Sequence, residues 1–326
     1  MDDWIAREGL PTIRRERLRA LSAKSDLRGA VQAASHLGAL ATTTAGLIWV
    51  APAAPLAYAP LFFTQGVLIN CLYAGQHELS HWTAFRTKAL NDVFGHLFGF
   101  LTLNPFLSDR WLHFAHHRAT HDPQRDPEIM GMGAYTLTSY ALDLAGVSFW
   151  WRRVRGIVRA AAGRGLEDAY WLDAAGKRIV VREARVHVVL WVAIAAACVA
   201  AQSWAALALW IAPMLATKWF HQLQNTGEHT GLPHVADIFA NTRTLKGPAP
   251  MRWLMWNMTW HTAHHCFPGV PFHALPALTG EIEAGLGRPL PRCGYLEAQR
   301  DIFAGLIPRS GGAGDQPLSG EGRSIE

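Results

Sequence analysis

Nine of the sixteen histidines in this chain lie in four short windows whose spacing could hold metal ions: HELSH at 77–81, HFAHH at 113–117, NTGEH at 225–229 and HTAHH at 261–265. On a helix, residues at i, i+3 and i+4 share one face with Cβ atoms about 5–6 Å apart, so each HxxHH triplet is predicted to converge on a common point. Neutral imidazole is the commonest metal ligand in proteins, and so many convergent groups exceed what one ion can bind. The sequence therefore predicts two metals in one imidazole-rich cage. The histidines concerned are His77, His81, His113, His116, His117, His229, His261, His264 and His265.

The composition predicts that this cage lies in a membrane protein. Half of the residues are hydrophobic and 17% are charged, whereas a soluble domain has about 25% charged residues. Four apolar stretches, at 29–51, 54–76, 186–201 and 204–224, approach the roughly 20 residues that cross a bilayer, although the third is short. They could instead be buried helices of a large soluble α-helical protein. The near-absence of charge within them favours four transmembrane helices.

Basic residues predict the orientation. Lys and Arg are concentrated before residue 29, between 77 and 185, and after 221, and the two short connections between apolar stretches have none. By the positive-inside rule, both termini and the histidine windows are cytoplasmic. We therefore expect an all-α multi-pass membrane protein, in which four transmembrane helices carry a cytoplasmic helical cap that holds the dimetal site. The net charge of +5 then reflects a face apposed to anionic lipid and not a nucleic-acid binder.

The chain divides into three regions. Residues 1–28 are basic and lack the apolar core of a secretory signal peptide, so we expect them to lie at the membrane surface. Residues 29–307 form the main domain, and the tail at 308–326 is predicted to be disordered because it is rich in Gly, Ser and charge. Counting about 20 helical residues from each outer turn brings the second and fourth spans to Gln76 and Gln224. The windows that begin at His77 and Asn225 therefore start at the same depth.

HELSH by itself is ambiguous, because HExxH on a helix is also the signature of a zinc metalloprotease whose glutamate acts as general base. An intramembrane protease needs one zinc and one further protein ligand, which leaves the other three windows without a role. A metal carrier is a second alternative. Transport sites usually lie near the bilayer midplane, whereas these windows gather at one surface.

The order and spacing of the windows resemble the three histidine boxes of the membrane-bound fatty acid desaturase and hydroxylase superfamily, over residues from about 30 to 280. HELSH stands for the first box, HFAHH for the second and HTAHH for the third, and the following CFPGVPFHALPAL is similar to the same stretch in bacterial desaturase-like proteins. Acyl-CoA desaturases of this superfamily carry an Asn and a His four apart after the fourth helix, which Asn225 and His229 match. The resemblance implies that Asn225 acts on the metal through a water. The first box departs from the pattern, HxxxH where the acyl-CoA enzymes have HxxxxH, and this leaves acyl-CoA specificity open.

Imidazole suits iron, copper and zinc alike, and the resemblance selects a di-iron centre. It implies an O₂-dependent desaturase of an aliphatic or fatty acyl lipid substrate, or alternatively a hydroxylase or ketolase on the same centre. The sequence carries no heme-binding cytochrome b5 motif and no Rossmann glycine fingerprint. Electrons are therefore expected from a separate donor, a ferredoxin or a cytochrome b5-like protein with its reductase.

Further residues could support these ligands. His221 shares a helical face with Asn225 and His229, so it could bind a metal, hold a ligand in place or simply pack. His121 follows the second window and is expected to hold a ligand in place or to cap the surface and not to be a ligand itself. Carboxylates often accept the outer N–H of a ligating imidazole, and the candidates are Glu78, Asp122, Asp126 and Glu228. Three tryptophans adjoin the windows as walls of a substrate tunnel or as interfacial anchors, namely Trp82, Trp111 and Trp260.

Overall fold

A computed structural model of the chain describes residues 9–50, 52–131 and 133–307. The regular structure is almost entirely helical. The helices are α1 (Arg15–Leu21), α2 (Asp26–Ala45), α3 (Tyr58–Ser80), α4 (Lys88–Leu101), α5 (Phe106–Arg118), α6 (Leu137–Leu144), α7 (Val147–Ala161), α8 (Ala174–Ala200), α9 (Ala212–Ala216), α10 (Lys218–His229), α11 (Ile238–Asn241), α12 (Ala249–Leu254), α13 (His261–Cys266), α14 (Leu275–Leu286) and α15 (Tyr295–Leu306). Two short strands, β1 (Thr244–Lys246) and β2 (Arg292–Gly294), pair in parallel. The predicted disordered tail and the first eight residues lie outside the described part of the chain.

Two helices in the described part of the chain are long and apolar enough to cross a membrane, over Pro55–Ser80 and Ala174–Ala200. They correspond to the second and third predicted spans. The third begins well before residue 186, because Asp173 caps its first turn by accepting the Gly176 N–H at 2.6 Å. Hydropathy did not predict this part of the helix, because Lys and Arg in the first half of α8 lower the local mean hydropathy.

The other two predicted spans have a different local structure. The described part of the first stretch, residues 29–50, falls on α2 and on a π-helical turn at Gly46–Val50 that continues it. Residues 204–224 fall on a π-helical turn at Leu207–Ile211, on α9 and on the start of α10, with a break at Thr217. The four-span topology therefore stays a prediction.

The central helix is α3, which packs against α2, α4 and α9. Leu68 and Leu72 on this helix are buried. A Cβ at Gly66 would lie 2.0 Å from the carbonyl oxygen of Pro213, so glycine is what lets α3 and α9 approach so closely. Small residues at such contacts are typical of helices that pack within membranes.

Side chains of α3 also compensate for the break in the fourth apolar stretch. Pro213 has no N–H to donate to the carbonyl of Leu209 four residues earlier, and Gln65 Nε2 donates to that oxygen instead at 2.8 Å. Asn70 Nδ2 donates to the carbonyl of Met214 at 2.8 Å. A buried carbonyl left unpaired would be costly, so these two amides stabilise the interrupted helix.

The helix that carries the second window is anchored at its first turn. The carboxylate of Glu183, on α8, accepts the N–H of Leu107 at 2.9 Å and the N–H of Ser108 at 3.0 Å. These N–H groups have no partner within α5 itself. The contact therefore fixes the start of α5 relative to α8.

The segment before the third window is fixed by aromatic packing. The side chain of Trp256 is 1% exposed and packs on the rings of Phe98 and Phe272, with centroids 5.8 and 5.3 Å away. Phe98 belongs to α4, so this cluster joins the C-terminal part of the chain to the helices around α3. The short helix α13 follows directly after a 3₁₀ turn at Met258–Trp260.

Candidate metal centre

The histidines of the four windows come together in two adjacent groups. Five of them offer ring nitrogens within 4.8 Å of one another, and we call them the five-histidine group: His77, His81, His113, His117 and His264. A second set meets the same criterion: His116, His229 and His265. His261 joins the second set because its Nε2 lies 2.8 Å from that of His229 and 3.0 Å from that of His265. We call these residues the four-histidine group.

Each HxxHH window is divided between the two groups, so the prediction that a triplet converges on one point is wrong. His113 and His117 belong to the five-histidine group, whereas His116 points to the other. In the third window the division is reversed, since His264 alone joins the five-histidine group. The reason is helical geometry: with 3.6 residues per turn, positions i+3 and i+4 lie on opposite sides of residue i. A window with this spacing therefore spans two neighbouring sites.

Within each group the Nε2 atoms face one another. In the five-histidine group, His113 Nε2 lies 2.8 Å from that of His81 and 2.8 Å from that of His117. Both ring nitrogens of His77 are buried and have no hydrogen-bond partner among the described residues. A convergent set of buried imidazole nitrogens is the donor set expected for a metal ion. The residues present therefore fit one metal in each group.

The opposite ring nitrogens of the four-histidine group are held by other parts of the chain. Asp126 Oδ2 lies 2.9 Å from His116 Nδ1, and the carbonyl oxygen of Asn241 accepts from His229 Nδ1 at 2.9 Å. A hydrogen bond to one ring nitrogen fixes the tautomer and leaves the other as the ligand. The sequence named Asp126 as one of four candidate carboxylates for this role. It gave no signal for Asn241, whose backbone oxygen and not its side chain makes the contact.

Two further contacts complete this outer layer. Glu228 Oε1 lies 3.2 Å from His261 Nδ1, and Thr120 Oγ1 lies 3.2 Å from His265 Nδ1. Of the other predicted carboxylates, Asp122 instead pairs with Arg125 at 2.5 Å.

Burial keeps most of these imidazoles neutral. Removal from water disfavours the charged form, and it lowers the pKa of seven clustered histidines outside the membrane helices well below the ordinary value, namely His81, His113, His117, His229, His261, His264 and His265. Neutral imidazole is the form that binds a metal. At neutral pH these side chains are therefore ready to act as ligands.

His116 is the exception. Burial lowers its pKa, but the nearby carboxylates of Glu128 and Asp126 outweigh burial and raise the pKa to about 9. Without a metal this imidazole carries a proton. A metal cation in the four-histidine group would take the place of that proton, and the same carboxylate would then orient the ring.

The glutamate of the first window does not face the histidines. Glu78 is fully buried, and its Oε1 accepts the backbone N–H of Phe272 at 3.0 Å. In an HExxH protease this carboxylate must lie beside the metal-bound water. The protease alternative is therefore disfavoured by the position of Glu78. It is also disfavoured because His77 and His81 belong to the five-histidine group.

The remaining candidate residues lie around the two groups. Asn225 is one turn before His229 but belongs to neither group, and its exposed side chain lines a cavity of about 470 Å³. His221 lines the same cavity, with its ring 5.3 Å from that of Tyr73. The backbone N–H of His121 donates to Asp126 Oδ2 at 2.8 Å, so this residue helps to position a carboxylate and is not itself in a group.

The tryptophans beside the windows have other contacts. Trp82 Nε1 donates to Asp92 at 2.7 Å, and Trp111 packs against the apolar cluster between α7 and α8. Among the described residues that line the 470 Å³ cavity, none is Trp82, Trp111 or Trp260. The interpretation of these tryptophans as tunnel walls gains no support from this cavity.

Comparison with known proteins gives the family. Residues 52–295, which include all four windows and the helices that position them, match the family described as fatty acid desaturase. The chain belongs to this family. It is also similar to a protein named fatty acid desaturase from Bacillus subtilis (strain 168), with 25% identity over 233 residues. That similarity covers 61% of this chain and 60% of the relative, so the chain matches less than two thirds of the relative's length.

Proposed function

We propose that this protein is an O₂-dependent desaturase that removes two hydrogens from an aliphatic or fatty acyl substrate at a histidine-ligated di-iron centre. The observation that carries the proposal is the division of the second and third windows between two adjacent imidazole groups. This division provides two metal positions on the same helices, whereas a zinc protease or a carrier of a single ion needs only one metal position. Membership of the fatty acid desaturase family supports the reaction class and the lipid nature of the substrate.

In this proposal the five-histidine group holds one iron and the four-histidine group holds the other, with Asn225 contributing through a water. The irons, when bound, supply O₂ activation and the power to oxidise an unactivated C–H bond. The protein itself orients the ligands and excludes water. Asp126 and the Asn241 carbonyl fix the imidazole rings of His116 and His229, and burial keeps bulk water from the reacting carbon.

The electron balance requires a partner. Desaturation takes two electrons and two protons from the substrate, and reduction of O₂ to two waters takes four of each. A separate donor must therefore provide the other two electrons, with two protons from solvent. We infer a ferredoxin or a cytochrome b5-like protein with its reductase, docking on the side of the protein where the histidine windows lie.

The mass of the lipid product tests the reaction. Purified protein loaded with iron under anaerobic conditions, then given O₂, a donor system and a fatty acyl substrate, should release a product that has lost two hydrogens. Gain of one oxygen would instead assign the hydroxylase or ketolase alternative on the same centre. His117→Ala and His265→Ala should each abolish turnover. His96→Ala, at a half-exposed histidine outside both groups, is the matched control and should retain it.

We also propose that the chain crosses the membrane four times with both termini and the metal centre on the cytoplasmic side. The pairing of the Leu209 and Met214 carbonyls by Gln65 and Asn70 meets the requirement that a segment in hydrocarbon leave no backbone carbonyl unpaired. Reporter fusions after Gly163 should report the cytoplasm, and one after Ser203 the opposite face. A cytoplasmic signal at Ser203 would contradict four spans without affecting the proposed reaction.

A further inference from the structure

The 470 Å³ cavity lies about one helical turn from the clustered imidazoles. Three of its lining residues, Tyr73 on α3, Asp109 on α5 and Asn225 on α10, each stand four positions before a histidine of the windows. Positions i and i+4 share a helical face, so three separate helices turn the same face to the cavity and to the clustered imidazoles. Its volume is that of a small-molecule site. A molecule in this cavity would therefore lie within about one helical turn, roughly 5 Å, of the ligating rings.

The wall of this cavity carries two cations without a carboxylate partner. Among the described residues, neither Lys218 nor Arg153 forms an ion pair, whereas the neighbouring Arg152 pairs with Asp143. Both cations instead approach the ring of Phe149, with Lys218 Nζ at 3.7 Å and Arg153 Cζ at 5.0 Å from its centroid.

Lys218 is the more constrained of the two. Its side chain is 3% exposed, and its Nζ lies 3.2 Å from His221 Nδ1. A buried ammonium group without an opposite charge is expensive. Two acids, Asp109 and Glu128, also line the cavity, but among the described residues neither lies within ion-pair distance of Lys218 or Arg153. An anion bound between Lys218 and Arg153 would satisfy both cations.

A second cavity continues from this position. It has a volume of about 300 Å³, is lined almost wholly by apolar side chains of α7, α8 and the Leu207–Ile211 turn, and shares Arg153 and Ile157 with the first. A hydrocarbon chain fits such a lining, because removing CH₂ groups from water is favourable. The two cavities together have a charged end beside the metal centre and an apolar end among the membrane helices.

We propose that the substrate is a free carboxylic acid, whose carboxylate lies between Lys218 and Arg153 and whose hydrocarbon chain extends over Ile157 into the apolar cavity. This deepens the proposed function and rests on it for the reaction. The C–H bonds presented to the metal centre are then those of the first few carbons after the carboxylate. A thioester or a phospholipid ester has no charge at this carbon and would leave both cations unpaired.

Equilibrium binding tests the proposal without turnover. The purified full-length protein in detergent is titrated with radiolabelled decanoic acid, and the bound label is displaced with unlabelled decanoic acid, methyl decanoate or decyl phosphate. We expect decanoic acid to compete on the order of 30-fold better than its methyl ester, since an unpaired buried charge costs about 2 kcal/mol or more. Equal competition by acid and ester would overturn the proposal. Stronger competition by decyl phosphate would overturn the assignment of a carboxylate.

Variants separate a specific site from partition into detergent. Lys218→Met and Arg153→Met should each abolish the preference for the acid over the ester. The matched control is Arg155→Met, an exposed arginine on α7 that does not line either cavity, and it should keep the preference. If Lys218→Met fails to fold, Arg153→Met at the cavity edge decides the outcome. Persistence of the preference in Arg153→Met would overturn the site.

The position of oxidation gives an independent readout. With the iron-loaded protein, the new double bond or hydroxyl should lie within the first few carbons from the carboxylate. A mid-chain product would contradict the placement of the carboxylate. Charge-dependent binding with no oxidation of any acid would leave the anion site standing and count against the proposed function alone.

Discussion

The Nε2 atoms of His117 and His264 lie 3.1 Å apart, although 147 positions separate these residues in the chain. The contact joins α5 to α13 inside the five-histidine group. The neighbours of these residues, His116 and His265, belong to the other group. Adjacent residues in one window therefore serve different metal positions.

This division predicts the metal content of single variants. His117→Ala removes a ligand of the five-histidine group, and His265→Ala removes one of the four-histidine group. We expect each variant to bind about one iron per chain where the unchanged protein binds two. Elemental analysis after anaerobic loading measures this, with His96→Ala as control. Complete loss of metal in both variants would mean that neither position fills without the other.

The carboxylate behind His116 should tune metal affinity. Asp126→Asn keeps one hydrogen-bond acceptor but removes the charge that orients His116 and increases its basicity. Loss of such a partner typically weakens metal binding by about 10–100-fold. Competition with a chelator of known affinity measures the change. Asp122→Asn, four residues earlier and paired with Arg125, should bind metal normally, and equal effects in the two variants would refute a specific role for Asp126.

The pKa of Asp109 predicts a pH-dependent stability. Burial raises it from 3.8 to about 6, partly offset by Arg153. The folded protein therefore holds this proton more tightly than the unfolded chain, so the ionised carboxyl destabilises the fold above about pH 6, and the cost fades as the pH falls toward the unfolded value. We expect Asp109→Asn to raise the apparent Tm at about pH 7.5, with a difference that shrinks toward about pH 5.

Thermal unfolding in detergent at several pH values measures this difference. Asp168→Asn, at an exposed aspartate, is the control. A gain in Tm that is the same at every pH would show that ionisation of Asp109 is not its cause.

The repair of the interrupted helix predicts that two substitutions are coupled. Gln65→Leu leaves the Leu209 carbonyl unpaired and should lower the free energy of unfolding by about 1 kcal/mol or more. Pro213→Ala restores an N–H four residues after Leu209. In the double variant the loss of Gln65 should therefore cost less than it does alone, which a double-mutant cycle on thermal stability measures. Strict additivity would mean that Gln65 acts elsewhere.

The sequence predicted the all-α class and the histidines that meet, because helical spacing and residue type carry that information locally. It named Asp126 only as one of four candidate carboxylates. It did not predict how the windows divide, since the directions of His116 and His117 matter only once α5 faces α13. The start of α8 was hidden by Lys177, Arg178 and Arg182, which lower hydropathy without ending the helix. The role of the Asn241 carbonyl could not be predicted, because a backbone oxygen has no sequence signature.

Helix α13 has six residues, fewer than two turns, and a helix this short does not persist in water on its own. It nevertheless supplies three of the clustered imidazoles, and its order depends on what it contacts across the centre. All six of its residues are buried, and its imidazoles lie against His117 of α5 and His229 of α10. The third window therefore owes its helical form to the packed centre around it, so a substitution that displaces α5 or α10 also displaces the imidazoles of α13.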